Sequence, residues 1–284
     1  MERIIAFIYL ILLLPVALNA QQKPRLIVRA DDLGSFASAN QAILLTVDQG
    51  ITTSVELMMN CPWTPEALNL LKDYPNLDVG VHLMITSEWD NYKWRPLTQA
   101  PSITDSLGFF YSFINPNPLA PGRAIQEHVW NLADIEREFR AQIEMAKATV
   151  PQVSHISTHI LCGIWDEDVK TMLDRLAKEY KLPQDFDYNI ELFPMDPFDK
   201  SADLQTKISR FIDALELLEP TKTYLFVEHP GLDVDEMETV GHEGYRNVRK
   251  DRSDITKILT HPEVRQKIKD LGIELVDFKQ AGLK

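Results

Sequence analysis

Side chains able to ligate a metal stand at the C-terminal ends of several separate strand-like runs in this chain. Arg25–Ala30 (RLIVRA) runs into Asp31-Asp32, Thr53–Met59 ends on Asn60, Asp78–Val81 on His82, and Val153–Thr158 on His159. Tyr224–Val227 leads into Glu228-His229-Pro230-Gly231. A carboxylate with two imidazoles suits a divalent ion that keeps coordination positions open for water. Such an ion turns water into a nucleophile and polarises a carbonyl, so these residues point to a metal-dependent hydrolase.

Two adjacent aspartates repel unless something takes up their charge. Successive strand residues face opposite ways, so Asp31 and Asp32 share a site only if the chain turns there, which Gly34 permits. One would then be a ligand and the other a general base; a helix cap or surface turn is the other reading of the pair. His82 follows Gly80-Val81 in an apolar run and, taken alone, reads as a core histidine. In SHISTHI, His155 and His159 share a face with Ser157 at period two, His159 reaching the strand end and His155 lying deeper. His229 sits in a strand-to-loop turn that holds its imidazole at the rim, which makes it the candidate general acid. His128, His242 and His261 have no comparable setting and read as surface or loop residues.

These positions need strands that alternate with helices. Helical patterns cover Ser35–Gln49, Pro65–Lys72 with Thr64 as cap, Leu132–Thr149, Asp166–Tyr180, Ala202–Leu218 and Ile255–Asp270, and the last strand is Ile273–Phe278. That alternation implies parallel strands with right-handed crossovers. The expected fold is an α/β TIM-like (β/α) barrel, seven strands and irregular closure allowed, with its active site at the C-terminal mouth. Such barrels run to about 250 residues as one domain, which suits residues 21–284. Between His82 and Leu132 lies a long segment holding Trp89, Tyr92, Trp94, Phe109, Phe110, Tyr111, Phe113 and Trp130. A loop of that length is usually functional. Its rings can stack on sugars or pack a lid onto the barrel.

Residues 1–20 read as a secretory signal peptide, with Arg3 ahead of the apolar Ile4–Leu18 and Ala20 before a cleavage point. A retained N-terminal anchor is the other reading. Export is expected, with no membrane association once the leader is cleaved. A net charge of −13 argues against nucleic acid and anionic lipid as partners, since both need clustered Lys and Arg; an oligomer is compatible with the sequence. Cys61 and Cys162 each follow a strand end. Export would permit a disulfide between them, two free buried thiols being the alternative, and no cysteine pattern points to structural zinc.

Val28-Arg29-Ala30-Asp31-Asp32, Gly80-Val81-His82-Leu83, Ser87–Trp94 (SEWDNYKW) and His229-Pro230-Gly231 together resemble the YdjC-like carbohydrate deacetylases, which include chitooligosaccharide deacetylases. The resemblance covers nearly the whole chain after the leader. It implies a TIM-like barrel that removes acetyl groups from N-acetylated sugars with one divalent metal ion, Mg or Zn. By position it places the metal on Asp32, His82 and His159, the catalytic base on Asp31 and the proton donor on His229. Trp89, Trp94 and Arg252 are the expected substrate-binding residues, and an acetylated oligosaccharide is the expected partner. The chain departs from the family where His155-Ile156-Ser157-Thr158-His159 replaces a pattern with Asp at position 157. If that carboxylate orients the ligand or the substrate, its loss weakens metal affinity or activity and Ser157→Asp is expected to strengthen them; if the site is instead shaped for another acetylated substrate, the same change is expected to lower activity on it. Two readings from other classes stay open: a secreted carbohydrate-binding protein on a catalytically degenerate barrel, and another metallohydrolase such as a phosphodiesterase. The latter would want more carboxylates or a second metal and a basic mouth.

Overall fold

Strand β1 (Arg25–Leu33) is the axis of the sheet, buried from Leu26 to its end. One edge pairs with β6 (Thr223–Glu228) from Arg25 to Ala30. The other meets β7 (Glu274–Leu275) at Arg25–Leu26 and, farther along, β2 (Ser54–Leu57). β3 (Asp78–Leu83) extends the sheet beyond β2, β4 (Val153–Thr158) beyond β3, and the short β5 (Glu191–Leu192) beyond β6. A computed structural model describes residues 22–195 and 202–284; the expected signal peptide lies outside them. Within them the sheet has seven strands in the order β4-β3-β2-β1-β6-β5, with β7 on β1, and every pairing is parallel.

A parallel strand is covered on both faces, and the middle strands are buried along their length, polar residues included. The outer cover is α1 (Ala37–Asp48), α2 (Thr64–Leu70), α3 (Leu132–Thr149), α4 (Glu167–Tyr180), α5 (Leu204–Leu215), α6 (Val248–Leu259) and α7 (Pro262–Asp270). Helix α3 shows the logic: Ile135, Phe139, Ile143 and Ala146 recur at helical spacing and all are buried. Its first turn is capped by Asn131, whose side chain accepts from Ala133 N at 2.8 Å. Asp166 caps α4 in the same way.

Among the described residues the expected seven-stranded TIM-like barrel is open on one side, a full closure being absent: β4 and β5 end the sheet and do not pair. The chain after α4 occupies that side instead. Ile156 N donates to Pro183 O at 2.9 Å, and Tyr188 bridges to Leu283 near the C-terminus. Three local expectations also change. Ile255–Asp270 is two helices, because Pro262 offers no N–H to a continuing helix and its ring would clash with the preceding turn. Thr64 opens α2 without capping it, its hydroxyl donating to Met58 O at 2.7 Å. The last strand shrinks to Glu274–Leu275. No helix among the described residues is long and apolar enough to cross a membrane.

The turn that ends β1 depends on Gly34, at φ +102, where a Cβ would lie 2.9 Å from Met58 O. Its N–H donates to Asn40 Oδ1 at 2.7 Å. Gly34→Ala should cost about 1–3 kcal/mol from backbone strain, read as a lowered midpoint of denaturant unfolding. An unchanged midpoint would show that this turn relaxes freely.

Candidate metal centre and active site

Asp31 and Asp32 are buried together, at 3% and 2% exposure. A strict strand would send them to opposite faces. Here the β1–β2 register shifts between Ala30 and Leu33, and Asp32 takes a left-handed backbone, φ 71, which aspartate tolerates better than most residues. The bulge turns both carboxylates toward one histidine: His82 Nε2 lies 3.9 Å from Asp31 Oδ2 and 3.8 Å from Asp32 Oδ1. The chain leaves β4 as abruptly, through His159 into Ile160 (φ 49) and Leu161 (φ 55). Left-handed backbone at a β-branched residue is strained, and such strain gathers at functional sites.

Asp32, His82 and His159 offer ligand atoms that all lie within 4.8 Å of one another. His159 Nδ1 is 3.4 Å from Asp32 Oδ1, and the two imidazoles stand edge to face with centroids 5.4 Å apart. Asp32 Oδ1 is buried and lacks a well-formed hydrogen bond, as an oxygen meant for an ion would. The far nitrogen of each ring is held from outside: His82 Nδ1 by Ser157 Oγ at 2.7 Å and His159 Nε2 by Glu88 Oε2 at 3.1 Å. Outer partners of this kind fix which nitrogen faces the ion. Donor chemistry, spacing and orientation all fit a divalent metal.

Cations are distributed to match. Arg29 binds Asp31 through Nε at 2.7 Å and Nη2 at 2.9 Å, while its Nη1 reaches Asp185 at 2.7 Å. Arg252 Nη2 donates to Asp32 Oδ2 at 2.5 Å. Burial alone would raise the Asp32 carboxyl, but Arg252 and His229 outweigh it and hold it well below the usual carboxylate range. Burial, with His159 adding to it, pushes His82 down to about 4, so that ring is neutral at ordinary pH. His159 moves the other way: burial would lower it, yet Glu88 and Asp32 carry it to about 10.

The centre opens on a cavity of about 240 Å³ whose wall includes Asp32, Glu88, Trp89, His159, His229 and Arg252. His229 is half-exposed, and burial would lower it, but the Asp32 carboxylate raises it. Asp31 stays behind the wall on its arginine. Of the expected substrate-binding residues, Trp89 faces the cavity. Arg252 does as well, with Nη2 committed to Asp32 and Nη1 buried without a hydrogen bond. Trp94 does not: it is 2% exposed in the apolar core, its Nε1 donating to Thr86 O at 2.8 Å. Among the aromatics of that segment, Trp89 is the one on the cavity wall.

His242, expected on an ordinary loop, is on that wall too, its ring 5.8 Å from Trp89. His155 is buried beneath the centre with Nε2 2.7 Å from Glu56. Cys61 and Cys162 are buried and unpaired, and burial raises both thiols. Glu88, Glu56 and Arg29 were not singled out as functional in the sequence. Glu88 had a signal, standing between Ser87 and Trp89 just after a ligand strand. Glu56 had one as well, since a charged residue in the middle of an apolar strand must be paired.

The sequence profile of the family described as YdjC-like protein matches residues 25–270. A carbohydrate deacetylase of Brevibacillus brevis is 29% identical over 274 residues, 91% of this chain and 100% of the relative. One of Clostridium beijerinckii is 30% identical over 269 residues, 90% of this chain and 99% of the relative. A crystal structure from Enterococcus faecalis, described as a cellobiose-phosphate cleavage protein, shares the fold with a TM-score of 0.70 at 22% identity, covering 90% of this chain and 98% of the other. With the profile running from the first strand to the last helix, the chain belongs to the YdjC-like family.

Proposed function

We propose that this protein is a divalent-metal-dependent deacetylase that hydrolyses the N-acetyl groups of carbohydrates, chitooligosaccharides among them. The observation that carries the reading is the buried set Asp32, His82 and His159 opening on a cavity that also holds His229 and Trp89. The relatives named carbohydrate deacetylases support the substrate class. Two imidazoles in the donor set suit zinc better than magnesium, which prefers oxygen ligands. When bound, the ion would acidify water and polarise the acetyl carbonyl. Asp31, fixed by Arg29 beside His82, takes the water proton. Arg252 Nη1 offers a donor to a substrate oxygen, and Trp89 presents a ring to the sugar. His229 returns a proton to the departing amine. Residues 21–284 form one catalytic domain, exported behind the leader at residues 1–20.

The first test is acetate release from N-acetylated oligosaccharides by zinc- or magnesium-loaded protein. His82→Ala should lose both the ion and the activity while keeping the fold; full metal occupancy in that variant sinks the ligand assignment. Sugar binding with no acetate release from any N-acetylated substrate would favour a carbohydrate-binding protein instead.

Asp31→Asn should retain the metal and lose about a hundred- to ten-thousand-fold in turnover, the usual contribution of a positioned proton acceptor. Near-normal turnover would remove Asp31 from the mechanism.

His229 acts in its protonated form, so activity should fall as pH rises through its pKa. The pH–rate profile should therefore carry an alkaline limb set by His229. His229→Asn should abolish that limb along with most of the rate. A limb that persists in the variant belongs to another group.

A further inference from the structure

Glu56 is fully buried in β2, below the metal centre, and none of the chemistry above uses it. The fold makes room for it: a Cβ on Gly80, in the neighbouring strand β3, would stand 2.2 Å from Glu56 Oε2. Glu56 Oε1 lies 2.7 Å from His155 Nε2, and Oε2 accepts the hydroxyl of Ser157. Ser157 Oγ lies in turn 2.7 Å from His82 Nδ1. A carboxylate has no proton to give. The Ser157 hydroxyl therefore donates to Glu56, and toward His82 its oxygen can only accept. The ring hydrogen then sits on Nδ1. That leaves a bare lone pair on Nε2, the nitrogen 3.8 Å from Asp32 Oδ1.

We infer that Glu56 is a positioning residue that acts through Ser157 to hold His82 in the Nδ1–H tautomer, the one that presents Nε2 to a metal ion beside Asp32. The inference rests on the proposed metal centre, but the tautomer can be read with neither metal nor substrate present. Serine at position 157 is then no gap in the site. It is a spacer that lets a carboxylate from the next strand but one do the orienting. Ser157→Asp consequently loses its expected benefit, because the new carboxylate would meet Glu56 in a buried space where like charges repel.

The test compares wild type, Ser157→Ala, Glu56→Ala, Ser157→Asp and the double variant Glu56→Ala/Ser157→Asp. Nitrogen-15 NMR of chelator-treated protein reads the His82 tautomer, and competition with a chromophoric chelator reads zinc affinity. Wild type should show Nδ1–H. Ser157→Ala and Glu56→Ala should populate Nε2–H and bind zinc about ten- to a hundred-fold more weakly, the usual effect of losing an outer partner. Ser157→Asp should also weaken binding, and the double variant, in which the carboxylate has moved across, should recover both tautomer and affinity. A wild-type Nε2–H tautomer overturns the inference. So does wild-type behaviour of Ser157→Ala, or tighter zinc binding by Ser157→Asp in the presence of Glu56; these two serine variants decide the matter if Glu56→Ala does not fold. Failure of the wild-type protein to bind zinc would sink the metal centre itself, while the tautomer measurement stands apart from it.

Discussion

Asp31 and Asp32 lie side by side in a region screened from water, and like charges placed there persist only when cations are brought to each. Arg29 meets the first from within the same strand, pinned at its other end by Asp185. Arg252 meets the second across 220 residues of sequence. The two imidazoles fill the remaining space and shift in opposite directions, His82 down and His159 up, because burial acts on both but Glu88 stands beside only the second. Much of the architecture answers to this constraint. The countercharge comes from β1 itself, through Arg29, and from α6, through Arg252. The segment after α4 must come close enough to place Asp185 on Arg29.

The donor set was legible in the sequence because each ligand ends an apolar run, and a parallel sheet brings such ends to one edge. The bulge between Asp31 and Asp32 was half legible: Gly34 announced a turn, but the left-handed residue proved to be Asp32 itself. The burial of Trp94 was not legible, because an aromatic residue in a lid looks the same in sequence whether its ring faces the cavity or the core. His242 was overlooked because its neighbours on the wall, Trp89 and Tyr245, include a ring more than a hundred residues away. Barrel closure was legible only as irregular. Whether a sheet closes depends on strand lengths and stagger, and β5, of two exposed residues, carries no periodic signal.

Beneath the ligands lies a polar floor that a strand interior would ordinarily avoid. Asp78 accepts from Ser54 at 3.0 Å and from Ser154 at 2.6 Å, and the backbone N–H of Phe278 donates to it at 3.2 Å. His155 sits between Asp78 and Glu56, its charged form favoured by both carboxylates against burial. A network so buried rigidifies what rests on it when all its members are satisfied. That explains why β2, β3 and β4 can carry polar side chains inward without loosening the sheet. Orientation at the ligands is thus inherited from bonds made one layer below them.

The order β4-β3-β2-β1 has a consequence for how the protein comes into being. These strands follow one another in the sequence, each paired with the one made just before it. Asp32, His82 and His159 all belong to this first-made portion, whereas His229 and Arg252 come from β6 and α6, after a further crossover. A chain emerging from the ribosome therefore has Asp32, His82 and His159 in hand before Arg252, the arginine that offsets Asp32, is made.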